Sequence, residues 1–333
     1  MRSPRRRPAR RIRAVLCVLL AGLTAAALAG AAPARGAAPA RGAARPDYQV
    51  STELTAYAKW LATPNADPPG VNVACIPSAA HPRPVVLLEG TISRLIQSFD
   101  RLGPDLANAG YCVYGLNYGS TSLTRETHGV IGAMGDIARS AHQLAHFVNA
   151  VLERTGTRQV DIVGWSQGGG PLPRYYLQNL GGAAKVHQLV GLAPSNYGTS
   201  FFGVLSLIDA LETLTKVKAL DLAGAPAFQE QLDTDPFITA LNAHGDTVPG
   251  VRYTVIESRY DDVVTPYTNA FLHGPGVRNI LIQDQCPLDL VDHLAMPYDD
   301  NVIQDVLNAL GPDDPHFRPH CVPALPAVGT LAG

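Results

Sequence analysis

No acidic residue occurs in the first 46 positions of the 333-residue sequence, although arginine occurs there ten times. Seven of these arginines precede residue 14, an apolar run at 14–29 follows, and the stretch to residue 46 is rich in Ala, Gly and Pro. This order is typical of a secretory signal peptide. We therefore predict a signal peptide and flexible spacer over residues 1–46, cleaved near Ala29-Gly30-Ala31 or a few residues later.

A long hydrophobic run is also missing. The run at 14–29 is too short and too rich in alanine for a comfortable membrane span, and no other segment reaches the necessary length. We therefore predict an exported, extracellular protein without a stable membrane span, whose contact with lipid is transient. Arg10-Arg11 is compatible with a twin-arginine signal but Arg13 is not, which leaves the export route open.

Basic residues are scarce after the leader. Residues 47–333 contain 16 basic and 28 acidic residues, a formal charge of −12. An acidic exported domain repels phosphate backbones, which makes nucleic acid a poor partner. With 46 % hydrophobic residues, the chain is long enough to bury a full core, either as one α/β domain or as two small ones.

Cysteine is rare, and four of the five cysteines follow the leader, at Cys75, Cys112, Cys286 and Cys321. An even number in an exported chain indicates two disulfides, with three alternative connectivities. We favour pairing between sequence neighbours, Cys75 with Cys112 and Cys286 with Cys321. Each would stabilise the fold by roughly 3–4 kcal/mol through loop entropy.

A metal site is poorly supported. The motif H-Q-L-A-H at 142–146 places two histidines four apart, but Gln143 stands where a zinc protease needs glutamate. We expect these histidines on a solvated helix face. A site formed by Cys321, His316 and His320 would compete with the second disulfide, and the even cysteine count favours the disulfide. We predict no metal ion or organic cofactor.

Apolar runs alternate with helical segments, which predicts an α/β fold with a mostly parallel central sheet and helices on both faces. The segment 197–250 interrupts this order with a long apolar helical stretch at 201–219. It is either packed core or a helical cap over a pocket, and we favour the cap because a strand follows at once. The expected strands are 85–88, 111–116, 160–163, 186–192, 252–256 and 277–282. The other expected helices are 52–61, 95–109, 135–155 and 302–310.

The stretch 159–180 contains the pattern G-x-S-x-G between a short apolar run and a helical segment. It reads Gly164-Trp165-Ser166-Gln167-Gly168. A sharp strand-to-helix turn of this kind exposes the central serine at the N-terminal end of the helix, where the helix dipole favours negative charge. We predict that Ser166 is a nucleophile; a Gly/Ser loop without function is the alternative.

A serine hydroxyl needs a histidine base, which in turn needs an acid partner. In folds where such a serine turn joins a strand of a parallel sheet to a helix, the chain order is serine, acid, histidine. His293 follows the last predicted strand, whereas His273 precedes it. Asp261 and Asp262 compete for the acid role, and we favour Asp261 because the valines after it re-enter the interior. We expect Asp292 to shape the loop.

The oxyanion of a tetrahedral intermediate needs two hydrogen-bond donors. We predict the backbone N–H of Gln167 as one, and the loop Gly90-Thr91 after the strand at 85–88 as the other. Glu89 is unexpected there, because a carboxylate beside an oxyanion hole must point away or be hydrogen-bonded.

Together these motifs resemble secreted lipases of the α/β-hydrolase superfamily, of the kind exported by actinobacteria, and more distantly the Candida lipase B type. The likeness covers most of the chain from Cys75 to Cys321. The motifs that carry it are L-L-E-G-T at 87–91, Q-S-F-D at 97–100, G-Y-C at 110–112, G-W-S-Q-G-G at 164–169, R-Y-D-D-V-V-T-P at 259–266 and Q-C-P-L-D-L-V-D-H at 285–293.

The resemblance implies a α/β-hydrolase domain over 47–333 and the same two disulfides. It also implies that Trp165 lines the alcohol side of the substrate pocket, with simple core packing as the alternative. Glu89, Pro171 and Pro173 depart from the pattern, and the insertion 197–250 aligns poorly. The implied catalytic triad is Ser166, Asp261 and His293. The implied oxyanion donors are Thr91 and Gln167.

We therefore expect a secreted, monomeric serine carboxylester hydrolase that cleaves lipid esters through an acyl-serine intermediate. An exported acyltransferase would use the same residues and pass the acyl group to a bound alcohol, so product analysis with competing alcohols separates the two. A non-catalytic binding module on this fold would not react with a fluorophosphonate.

Overall fold

A computed structural model describes residues 47–200, 202–203, 205–206, 225–312 and 314–330. The predicted signal peptide and spacer, 1–46, lie outside the described residues. So does most of the predicted helix at 201–219, although positions 202–203 and 205–206 are helical. The described residues belong to one unit of the chain, Arg45–Gly333.

A six-stranded parallel sheet forms the centre of this unit, in the order β2-β1-β3-β4-β5-β6. The chain therefore changes direction across the sheet after β2, and the carboxyl ends of β1 and β3 lie side by side. Ligands of open parallel sheets bind at such a switch point. The strands are β1 (Val85–Leu88), β2 (Val113–Leu116), β3 (Val160–Trp165), β4 (Val186–Leu192), β5 (Arg252–Glu257) and β6 (Val277–Leu281).

Both faces of the sheet are covered, as its continuous apolar runs predict. Along β1, Val85 and Leu87 pack in one hydrophobic cluster and Val86 and Leu88 in another. Because successive side chains point to opposite faces, these clusters are the two sides of the sheet. The predicted α/β-hydrolase type of sheet is confirmed.

Helices surround the sheet with lengths close to those expected. The longest, Ile137–Thr155, begins at an N-cap, Asp136, which accepts a hydrogen bond from the Arg139 N–H, and ends at Gly156 with a φ of 67°. The helices are α1 (Glu53–Ala62), α2 (Leu95–Phe99), α3 (Leu102–Ala109), α4 (Ser122–Glu126), α5 (Ile137–Thr155), α6 (Pro171–Asn179), α7 (Pro226–Glu230), α8 (Pro236–Asn242), α9 (Ile282–Gln285) and α10 (Asp300–Leu310).

Besides shifts of one or two residues at the ends of other elements, the structure differs from the sequence-based expectation in three places. The segment 95–109 is two helices because Pro104 has no N–H to donate to the carbonyl of residue 100, which a continuous helix requires. The last strand ends at Leu281, and Ile282 begins the short helix α9. The Pro/Ala-rich tail contains a small hairpin of β7 (Ala324–Leu325) and β8 (Gly329–Thr330), which composition does not reveal.

Both disulfides have the favoured pairing, Cys75–Cys112 and Cys286–Cys321. The first joins the loop before β1 to the residue preceding β2. The second joins the end of α9 to the C-terminal segment. Because the Cys321 sulfur is bonded to Cys286, the alternative metal site at Cys321 is wrong. His142 and His146 lie on the exposed side of α5, as expected.

The described part of the insertion 197–250 packs against the body. The Ala227 N–H donates to the Met134 carbonyl outside the insertion, and Phe228 and Ile238 are buried. This part is therefore packed on the rest of the described chain, and the helical cap stays a prediction. The remainder of the predicted cap, residues 207–224, lies outside the described residues.

Candidate active site

Ser166 follows β3 directly and has a φ of 56°, in the left-handed region that residues other than glycine rarely adopt. The glycines on either side make this turn sterically feasible. A Cβ on Gly164 would lie 1.8 Å from the Gly168 carbonyl oxygen, and one on Gly168 would lie 2.3 Å from that of Glu89. Such strain costs about 1–3 kcal/mol and is concentrated at functional sites. Pro171 fits the helix that follows, because it occupies the first turn of α6.

His293 and Asp261 form a buried pair. The Asp261 Oδ2 lies 2.7 Å from the His293 Nδ1, and both side chains are almost fully shielded from solvent. The other oxygen of Asp261, Oδ1, accepts hydrogen bonds from the N–H groups of Val263 (2.8 Å) and Val264 (2.7 Å). The valines do re-enter the interior, and they fix the carboxylate plane against the imidazole.

The neighbouring acidic residues occupy other positions. Asp262 is exposed and forms no hydrogen bond with the imidazole. Asp292 accepts hydrogen bonds from the Ala295 and Ala327 N–H groups, which fits the expected loop-shaping role. His273 is exposed and lies near Asp246. The structure thus brings Asp261, rather than Asp262 or Asp292, to His293.

The imidazole of His293 sits in an acidic environment. Burial lowers its pKa, but the charge and hydrogen bond of Asp261, with the charges of Asp262 and Asp292, outweigh burial and raise the pKa above 6.5. An environment that stabilises the imidazolium suits a group that takes a proton during a reaction.

Trp165 links the serine turn to the histidine loop. Its Nε1–H donates to the His293 carbonyl (3.0 Å), and the two ring centroids lie 5.4 Å apart. The indole is 2 % exposed. No hydrogen bond joins the Ser166 hydroxyl to the His293 imidazole, whose Nδ1 is paired with Asp261. Trp165 therefore holds the two loops together.

Thr91 and Gln167, the predicted oxyanion donors, contact each other. The Thr91 Oγ1 accepts hydrogen bonds from the side-chain amide of Gln167 (3.1 Å) and from that of Gln231 (2.8 Å). A hydroxyl has two lone pairs and one proton. Because both lone pairs are occupied, the proton of Thr91 is left to donate into the cavity that Thr91 shares with Ser166.

We expect Thr91→Val to lower kcat on p-nitrophenyl butyrate by about 100-fold, because removal of one oxyanion donor typically costs two to three powers of ten. The substitution keeps the shape, and the amides of Gln167 and Gln231 keep their other acceptors, the carbonyls of Ala133 and Ala227. Thr91→Ser, which retains the hydroxyl, is the matched control. An unchanged kcat in Thr91→Val would exclude the hydroxyl as a donor.

Gln231 is a residue that the sequence did not identify. It joins Thr91 to Ser195, whose hydroxyl donates to the Gln231 Oε1 (2.7 Å). It lies in the insertion that aligns poorly with the family pattern, 140 positions from Thr91. No local motif marks it.

Glu89 is fully buried, and its carboxyl is hydrogen-bonded to Tyr118 rather than to Thr91 or Gln167. Its Oε1 accepts from the Tyr118 N–H (3.3 Å), and its carbonyl accepts from the Tyr118 hydroxyl (2.6 Å). Burial raises the pKa of Glu89 well above its usual value, although Arg94 and the backbone N–H groups of Tyr118 and Leu95 oppose the rise. A neutral carboxyl in this position does not repel an oxyanion.

A small cavity lies beside Ser166. Its lining contains both polar and apolar side chains. Trp165 is not among its lining residues, which are Thr91, Ser166, Ser195, Thr199, Phe228, Gln231, Val263 and Val264.

The described chain contains no helix that is both long and apolar enough to cross a membrane.

Comparison with known proteins supports this architecture. The structure is similar to the crystal structure of Aspergillus fumigatus lipase B, with 20 % sequence identity and a TM-score of 0.55 over 72 % of this chain and 57 % of that one. The chain thus spans little more than half of that lipase. It is also similar to Bacillus licheniformis lipase BlEst2 in its mature form, with 14 % identity and a TM-score of 0.49 over 71 % of this chain and 94 % of that one.

No curated protein sequence matches the chain. Residues 82–297, in contrast, match the family described as Lipase (class 2). This match covers more than half of the chain and includes the β1 loop, the serine turn, Asp261 and His293. The chain therefore belongs to the class 2 lipase family, a family of carboxylic ester hydrolases.

Proposed function

We propose that the protein is an exported serine carboxylester hydrolase that cleaves lipid esters, with Ser166, His293 and Asp261 as its triad. The observation that carries the proposal is the strained left-handed turn at Ser166, beside a buried pair in which the His293 Nδ1 and the Asp261 Oδ2 lie 2.7 Å apart. A serine in such a turn and a buried histidine–aspartate pair are the parts that nucleophilic acyl transfer needs.

In the proposed reaction His293 removes the proton from the Ser166 hydroxyl as its oxygen attacks the acyl carbonyl. The oxyanion that forms accepts hydrogen bonds from the Thr91 hydroxyl and the Gln167 backbone N–H. His293 then donates its proton to the departing alcohol, and the acyl group remains on Ser166. Water, deprotonated by His293, attacks the acyl-serine, and His293 returns that proton to the Ser166 oxygen as the bond to the acyl group breaks and the acid leaves.

Asp261 keeps the proton of His293 on Nδ1, so that Nε2 is free to accept the serine proton. It also stabilises the imidazolium once that proton has been transferred. The backbone N–H groups of Val263 and Val264 hold the carboxylate in place for both tasks.

The location we propose is outside the cell, with residues 1–46 as leader and 47–333 as one hydrolase domain. Two disulfides support an oxidising compartment. The formal charge of −12 after the leader disfavours a polyanionic partner.

A fluorophosphonate probe tests the proposal directly. We expect one probe per protein molecule, attached to the peptide that contains Ser166, together with loss of p-nitrophenol release from acyl esters. Labelling that is absent, or that occurs on a different serine while hydrolysis continues, would contradict the assignment.

A further inference from the structure

Glu257, the last residue of β5, is a second buried carboxyl behind the proposed triad. Its side chain is 0 % exposed, and its Oε1 accepts a hydrogen bond from the Ser258 N–H (2.7 Å). Its Oε2 is buried and receives no hydrogen bond from any N–H or O–H donor of the described residues. The Glu257 carboxyl lies within hydrogen-bonding reach of the carboxyl of Asp261.

Two carboxylates in contact inside a protein cannot both be ionised at neutral pH without a cation between them. Among the described residues no lysine, arginine or histidine forms an ion pair with Glu257, so one proton must be held by the Glu257–Asp261 pair. The proton resides on the member whose charge is less well stabilised by its surroundings.

The hydrogen bonds around the two groups decide where the proton resides. Asp261 accepts from three N–H donors, those of Val263, Val264 and the His293 imidazole. Glu257 accepts from one. Because hydrogen bonds to the charged form favour it, Asp261 is the anion and Glu257 is the neutral acid.

We infer that Glu257 is a positioning residue for the proposed reaction, a protonated carboxyl that donates a hydrogen bond to the Asp261 carboxylate. The inference rests on the proposed function. It adds a fourth donor to Asp261 and leaves a single negative charge in the pair. Glu257 acts through Asp261 and does not touch the reacting atoms.

The electrostatics of the surroundings agree with this placement. Burial raises the pKa of Glu257 well above its usual value, the Asp261 charge raises it further, and only the Ser258 N–H opposes the rise. The charges of Asp262 and Asp292 also act on the His293 imidazole. Asp292 in turn faces Glu53, whose pKa burial raises to about 8.

Removal of the Glu257 donor should change the basicity of His293 in a defined direction. Without that hydrogen bond, the Asp261 charge is less neutralised and attracts a proton on His293 more strongly. The pKa of His293 then rises, and the acid limb of the kcat/KM profile moves to higher pH, because the reaction needs neutral imidazole.

The test compares Glu257→Gln with Glu257→Met. The glutamine amide can donate to Asp261 and accept from the Ser258 N–H, so we expect the acid limb to coincide with that of the wild type. Methionine has a similar size and no donor, so we expect the limb to move upward by about one pH unit, as loss of a hydrogen bond to a charged group predicts. A merely structural role would lower stability in Glu257→Met but leave the limb in place.

Infrared difference spectroscopy supplies a readout that needs no catalysis. At neutral pH the spectrum of Glu257→Gln should lack a carbonyl stretch of a protonated carboxylic acid that the spectrum of the wild type contains. Loss of a carboxylate band instead, or an unshifted acid limb in a folded Glu257→Met, overturns the inference. Failure of the proposed function is distinguishable, because it appears as absent probe labelling at Ser166 and leaves the infrared result intact.

Discussion

Replacement of Ser166 by alanine is expected to lower kcat on p-nitrophenyl butyrate by about 10⁵- to 10⁶-fold, the size of loss seen when a serine nucleophile is deleted. The variant lacks the atom that forms the acyl-enzyme, so the remaining rate reflects only the oxyanion donors and substrate binding. The folded state should be unaffected, since the Ser166 hydroxyl forms no hydrogen bond with another described residue.

The matched control is Ser140→Ala. Ser140 is also buried, but it lies on α5 outside the site, where its hydroxyl donates to the Asp136 carbonyl (2.8 Å). We expect its kcat to stay within about twofold of the wild type, as for residues outside the catalytic unit. Thermal unfolding of both variants establishes that they are folded. Hydrolysis by folded Ser166→Ala at the wild-type rate would remove the acyl-serine mechanism.

Asp261→Asn is expected to lower kcat by about 10⁴-fold, because the wrong imidazole tautomer is held in place. The Asp261 Oδ1 accepts from two backbone N–H groups, so the oxygen of the asparagine amide must occupy that position. The amide nitrogen then faces the His293 Nδ1 and donates to it. The imidazole proton moves to Nε2, which can no longer accept the proton of Ser166.

Asp262→Asn is the control for this prediction. Asp262 has the same chemistry one position later, but it is exposed and influences His293 only through its charge. We expect a change in kcat of less than about fivefold, since exposed charges act weakly through solvent. If Asp262→Asn were the variant that lost activity, the acid of the proposed triad would have been assigned incorrectly. Initial rates at several pH values measure both variants.

Much of the fold could be predicted from short segments. The apolar run Val85–Leu88 and the stripe of α5 carry their periodicity in the sequence itself, and the structure has a strand and a helix there. The break at Asp100-Arg101 was less visible. It depends on the missing N–H of Pro104, which the sequence contains but which by itself does not fix where the first helix ends.

The site was predictable to the extent that its residues lie in motifs. The serine turn is local, since its geometry depends on Gly164, Ser166 and Gly168 within five positions. Gln231 and Glu257 were not predicted, because neither belongs to a motif. Gln231 acts on Thr91, a residue far away in sequence, and Glu257 acts through a proton that it shares with Asp261.

By itself the sequence determined the alternation of strands and helices, the serine turn and the favoured cysteine pairs. These follow from backbone sterics, hydrophobic periodicity and redox compartment, which are properties of short stretches and of composition. Only the tertiary structure decided which aspartate meets the imidazole, 32 positions away, and which amide orients the Thr91 hydroxyl, 140 positions away. Hydrogen bonds act over about 3 Å, and the folded sheet alone brings such distant residues within that range.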